Sequence, residues 1–206
     1  MTLLQILSAA PPYDRPALGM RAARLLGLAE AMGLLPEGVP IARLDRQTIL
    51  GPVRHLQSRG IGRTAALELD ATDDPERLAH LLDRLYDELL ASPAPDTEAS
   101  ALVEVLGADL VAQLAGISPS SLRRYVTGER ATPDAVAARV HHVAVLVSHL
   151  AAGYNDFGVR RWFGRARPQL DGRAPADLLR GEWDPDADGP LRVLRLAEAL
   201  NSSHAT

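Results

Sequence analysis

No cysteine occurs in this sequence, which excludes disulfides, thiolate zinc sites and a cysteine nucleophile. Lysine is absent as well. All 22 basic residues are arginine, the side chain suited to bidentate contact with phosphate and guanine. Aromatic residues make up only 4% of a chain that is 47% hydrophobic. The core must therefore be built from leucine, alanine and valine, a composition of packed helices. No apolar run reaches membrane-spanning length, and the opening MTLLQILSAAPPYD has no basic region before its short apolar run. We expect a soluble, cytoplasmic protein with no membrane partner.

Signs of catalysis are also lacking. No glycine-rich phosphate loop follows a strand, and neither a GxSxG elbow nor an HExxH pair is present. The six histidines (His55, His80, His141, His142, His149 and His204) show no ligand spacing. The run Asp184-Pro185-Asp186-Ala187-Asp188-Gly189 imitates the start of a calcium loop. However, Arg195 stands where that loop needs its bidentate glutamate. We expect no enzyme, no catalytic residues, no metal and no cofactor.

What the chain does carry is ADLVAQLAGISPSSLRRYVTG, residues 108–128. Small or apolar residues at Val111, Ala112, Ala115, Ile117, Leu122 and Tyr125 let two short helices cross closely and share a core. Gly116 falls in the turn, where a positive φ is often required. Ser118 followed by Pro119 is a cap and a first-turn proline, so a new helix starts there. The expected outer face of that helix is Ser120, Ser121, Arg123 and Arg124. Hydroxyls and guanidinium groups are the side chains that read base edges and phosphates. We therefore expect a helix-turn-helix that binds double-stranded DNA. In that arrangement Ser118 and the helix start meet a phosphate, and Ser120, Ser121 and Arg124 enter the major groove. Arg123, Thr127 and Arg130 contact the backbone.

Charge and punctuation give the layout. Residues 101–167 hold eight arginines and five acids, a net +3 inside a chain of net charge −4, which leaves −7 for the rest. The expected fold is all-α in three parts: a helical domain over 1–95, a helix-turn-helix domain over 97–153, and a small helical partner-binding unit over 154–206. Helical stripes run over 16–35, 44–59 and from Pro75 to about Leu89, whereas TAALELDA (64–71) fits a strand or a helical turn equally. Ser92-Pro93-Ala94-Pro95-Asp96 reads as a linker. Past it, helices are expected near 97–106, 134–152, 156–164, 175–180 and 190–200.

The tail from Arg160 to Leu179, RRWFGRARPQLDGRAPADLL, resembles the C-terminal domain of the Xre/MbcA/ParS-like antitoxins. Trp162, Pro168, Leu170, Gly172, Arg173, Pro175 and Leu178 match that family's Trp-bearing helix, its Pro-x-Leu-x-Gly-Arg-x-Pro turn and the helix after it. A helix-turn-helix directly before this unit is the family's layout. Ala174 stands where the family has a capping threonine, GEWDPDADGP is longer than the usual link, and the first 95 residues have no counterpart in shorter members. The resemblance covers roughly 100–200. It implies an antitoxin of a type II toxin-antitoxin system that neutralises a RES-type, NAD-consuming toxin and represses its own operon. On that reading the last helix and tail, 191–206, cover the toxin, with Arg192 and Arg195 reaching acidic groups. Trp162, Phe163 and Arg173 hold the platform beneath. Two other functions fit the residues: a stand-alone helix-turn-helix regulator with an N-terminal dimerisation or sensing domain, and a helical adaptor that never touches DNA. One reading helix covers a half-site, so a homodimer or larger assembly is expected.

Overall fold

The computed structural model describes residues 4–36 and 40–203, with side chains described as far as residue 200. The chain divides into two compact units, Met1–Ser92 and Pro93–Thr206. Both are mainly helical, and among the described residues no helix is long and apolar enough to cross a membrane.

The first unit runs β1 (Leu4–Ala9), α1 (Pro16–Ala31), β2 (Ile41–Leu44), α2 (Arg46–Ser58), α3 (Ala65–Ala71) and α4 (Pro75–Leu90). Its helices follow their punctuation. Pro16 and Pro75 occupy first-turn positions, where the missing N–H costs nothing. Asp74 caps α4 by accepting from the Glu76 amide at 3.1 Å. Asp45 and Thr48 form a reciprocal box at the start of α2, with both amide-to-side-chain bonds at 2.9 Å. Leu18, Ala22, Leu25 and Leu26 of α1 are buried, as are Leu78, Leu82, Leu85 and Leu89 of α4. These two helices pack face to face, and Arg21 grips Asp83 across the seam at 2.9 Å. The segment 64–71, ambiguous in sequence, is helical from Ala65, with Thr64 at its cap position. Arg46 holds its C-terminal end by donating to the carbonyls of Leu69, Asp70 and Thr72, orphan acceptors that a helix end must satisfy from outside.

One element departs from the all-helical expectation for 1–95. β1 and β2 pair in parallel, with Leu4 opposite Ile41 and Ala9 opposite Leu44. Parallel pairing needs a long crossover, which α1 supplies. Neither strand has the length or alternation to stand out alone, and Leu7 remains 82% exposed.

The second unit runs α5 (Pro95–Leu106), α6 (Ala108–Ala115), α7 (Pro119–Val126), α8 (Asp134–Ala151), α9 (Asp156–Phe163), a 3-10 turn (Pro168–Leu170), α10 (Pro175–Leu178) and α11 (Asp188–Ser203). The segments expected as separate domains, 97–153 and 154–206, share one core here. α8 is that core. It packs against α5, α6, α9 and α11. The expected stripe Val136, Val140, Val143, Val147 and Leu150 is buried, but so are Arg139, His141, His142, Val145 and His149. A helix apolar on nearly all sides belongs in the middle of a fold, and its three histidines disguise that in the sequence. His141 is satisfied by Glu98 of α5, fully buried, at 2.6 Å. α11 sets Val193 and Ala197 into the same core. Removing it would open the unit that holds α6 and α7 rather than detach a separate tail.

Candidate nucleic-acid interface

The interface begins with the geometry of a turn. α6 ends at Gly116, which adopts φ 67 and ψ 37, the left-handed conformation that glycine takes without a Cβ penalty. The Ile117 amide reaches back to the Ala112 carbonyl at 3.0 Å and closes the helix end. Ser118 then starts α7. Its Oγ accepts from the Ser121 amide at 3.1 Å, and Pro119 fills the first helical position. The three hydroxyls of Ser118, Ser120 and Ser121 cluster at this helix start, with Oγ–Oγ separations of 2.9 and 3.0 Å.

α7 is two-faced. Leu122 and Tyr125 are buried against α5 and α6. Ser118, Ser120, Arg123, Arg124, Thr127 and Arg130 are exposed, and Ser121 is half-buried. From Gly116 to Gly128 the chain carries two arginines and no acid. Arg130 follows the glycine turn at Gly128 (φ 71), with its guanidinium 6.0 Å from the Tyr125 ring centre. The outward hydroxyl and guanidinium face inferred from the sequence is present in this unit, on a helix anchored from beneath.

The anchoring comes from residues that sequence reasoning left out. The last carbonyls of α6 face segment 181–183 and α8. Trp183 Nε1 donates to the Leu114 carbonyl at 2.8 Å, and Arg139 Nε donates to the Ala115 carbonyl at 2.8 Å. The Gly181 carbonyl lies against Gly116 so closely that a Cβ there would overlap it, standing 2.7 Å from its carbon. Trp183 also meets His142 edge to face, with centroids 5.2 Å apart. Thus GEWD, part of a segment longer than the sequence resemblance leads one to expect, is a clamp on the α6–α7 pair. An arginine in the middle of the valine-rich stripe of α8 was the available signal. Trp183, set among acids, gave none.

The expected partner-directed residues separate into two sets. Trp162 and Phe163 are buried, with their rings crossed at 88° and centroids 5.3 Å apart, and Arg167 lies 5.5 Å from the Trp162 ring centre. Both rings are core residues rather than surface ones. Arg173 is exposed and donates to the Asp177 carbonyl at 3.1 Å. Asp177 in turn accepts from the Ala174 amide at 3.1 Å, so α10 gains one capping bond without a threonine. Arg192 is engaged within the unit: it donates to the Gln169 carbonyl at 3.0 Å and pairs with Asp171 at 2.8 Å, pinning α11 to the 3-10 turn. Arg195 is exposed. The end of the expected toxin-covering surface, residues 204–206 with His204, lies outside the described residues, as do the side chains of 201–203. Comparisons with family models, with curated proteins and with solved structures return no match to this chain.

Proposed function

We propose that this protein is a DNA-binding antitoxin and autorepressor whose α6–α7 pair is a helix-turn-helix. The observation that carries the DNA half is the two-faced α7, with Leu122 and Tyr125 beneath and Ser118, Ser120, Arg123, Arg124 and Thr127 on the open side. In this reading Ser120, Ser121 and Arg124 meet base edges in the major groove, while Ser118, Arg123, Thr127 and Arg130 hold phosphates. Two copies bind two half-sites. The test uses fluorescence anisotropy on a duplex spanning the region upstream of the protein's own reading frame. Arg124→Ala is expected to weaken binding by about 1–3 kcal/mol and to relax preference at one position. Unchanged binding after Arg123 and Arg124 are both replaced would remove α7 from the duplex.

The toxin-directed half rests on the resemblance of residues 160–179. Trp162, Phe163 and Arg173 support the platform, and the exposed Arg195 of α11 points to the acidic rim of a RES-type, NAD-consuming enzyme. Co-expression with the product of the neighbouring reading frame is the direct assay. Growth is expected to depend on this protein. Arg195→Glu should reduce the rescue while leaving operator affinity unchanged. A neighbour harmless on its own would favour the stand-alone regulator, for which the separately packed first unit is the natural sensing or dimerisation domain.

A further inference from the structure

Four of the twelve arginines in the second unit are held by hydrogen bonds or an ion pair, whereas Arg123, Arg124, Arg165 and Arg195, like Arg180, are not among the described residues. Arg139 holds the end of α6, Arg160 donates to the Val105 carbonyl, Arg173 to Asp177, and Arg192 pairs with Asp171. Arg180 differs from them. It is exposed and makes no hydrogen bond or ion pair among the described residues. Its place in the chain is the informative part. It immediately precedes Gly181, whose carbonyl is pressed against Gly116 in the turn, two residues before Ser118. Trp183 fixes the same segment through its bond to Leu114.

We propose that Arg180 is a DNA-phosphate contact, so that the interface extends from α7 across the turn onto the segment that clamps it. This rests on the helix-turn-helix reading given above. Two physical points support it, and a third makes its test specific. A guanidinium without a carboxylate partner is available to a phosphate, which it binds with charge-assisted hydrogen bonds. The backbone that follows it is held at two points, by Gly181 against Gly116 and by Trp183 against Leu114, so little backbone entropy is lost on binding. The segment that follows, with Glu182, Asp184, Asp186 and Asp188, is acidic. A general positive field over 180–188 therefore does not account for an effect at position 180. Any loss on removing Arg180 reports a placed contact.

A phosphate contact has a signature distinct from base reading. It weakens all sequences alike and changes the salt dependence. Arg180→Ala is expected to lower affinity about three- to ten-fold for the upstream duplex and for a random duplex equally, and to reduce the slope of log K against log salt by about one. Arg180→Lys should restore most of both, because a point charge suffices for phosphate. The tryptophan emission of the unit should match the parent protein in both variants, which separates loss of contact from loss of the clamp. Equal affinity and equal salt slope for Arg180→Ala would overturn the proposal. So would a loss confined to the upstream duplex with the slope unchanged. Arg124→Ala, measured alongside, keeps the two readings apart. If it weakens binding and Arg180→Ala does not, the helix-turn-helix stands and the extension falls. If the parent protein binds neither duplex, the underlying DNA reading fails.

Discussion

Gly116→Ala is expected to destabilise the second unit by about 3–5 kcal/mol, at the extreme of single substitutions. Two costs act together. An alanine held at φ 67 loses about 1–2 kcal/mol to left-handed strain. Its Cβ would also overlap the Gly181 carbonyl, a backbone group that cannot swing aside like a side-chain tip. Relief requires segment 181–183 to lift from α6. That movement stretches the Trp183–Leu114 bond and removes the cover over the α6 carbonyls. The measurement is denaturant unfolding followed by tryptophan fluorescence, which reports this unit alone because both tryptophans, Trp162 and Trp183, lie in it. A red shift of the native emission should accompany the loss as Trp183 gains water. A loss of only about 1 kcal/mol would mean that strain acts alone and that the clamp does not hold the turn. On the DNA-binding function proposed above, operator affinity should fall with stability, since α7 takes its orientation from this corner.

Acid should act on the same corner. His142 is buried beside Trp183, and desolvation pushes its pKa down to about 4. A hydrogen bond to the Pro190 backbone carbonyl and the charge of Asp186 oppose that fall, while His141 adds to it. The Nε2 atom is buried without a partner, so the proton that would charge the ring has nowhere favourable to sit. The folded pKa thus lies below the unfolded one, near 6.5. Between these values the unfolded chain binds more protons. The neutral ring's contribution is complete above about pH 6.5 and is lost as pH falls to about 4, amounting to roughly 3 kcal/mol. Unfolding followed by tryptophan fluorescence across that window at fixed ionic strength should show the decline, and His142→Gln should flatten it. An unchanged slope in the variant would assign the acid sensitivity to other groups.

The helices were legible because their signals are local. Ser118-Pro119, Asp74-Pro75 and Thr132-Pro133-Asp134 each fix a helix start within one turn of chain, and the structure begins α7, α4 and α8 there. Gly116 marked the end of α6 for the same reason. The outward face of α7 followed from two buried residues, Leu122 and Tyr125, three positions apart. The β1–β2 pair was hidden because its partners lie more than thirty residues apart, and strand pairing leaves little trace in either strand alone. Arg192 read as a free cation until Asp171, twenty-one positions earlier, came to meet it.

Composition, caps and periodicity were enough to make this chain helical and to place a short two-faced helix at residues 119–126, since each acts over a few residues. What holds that helix was decided by folding alone. Trp183 finds a carbonyl 69 positions away and Arg139 one 24 positions away, distances over which no local preference operates. Only the burial of α8 by helices from both halves of the unit brings those groups together, because an apolar helix must be covered on every side.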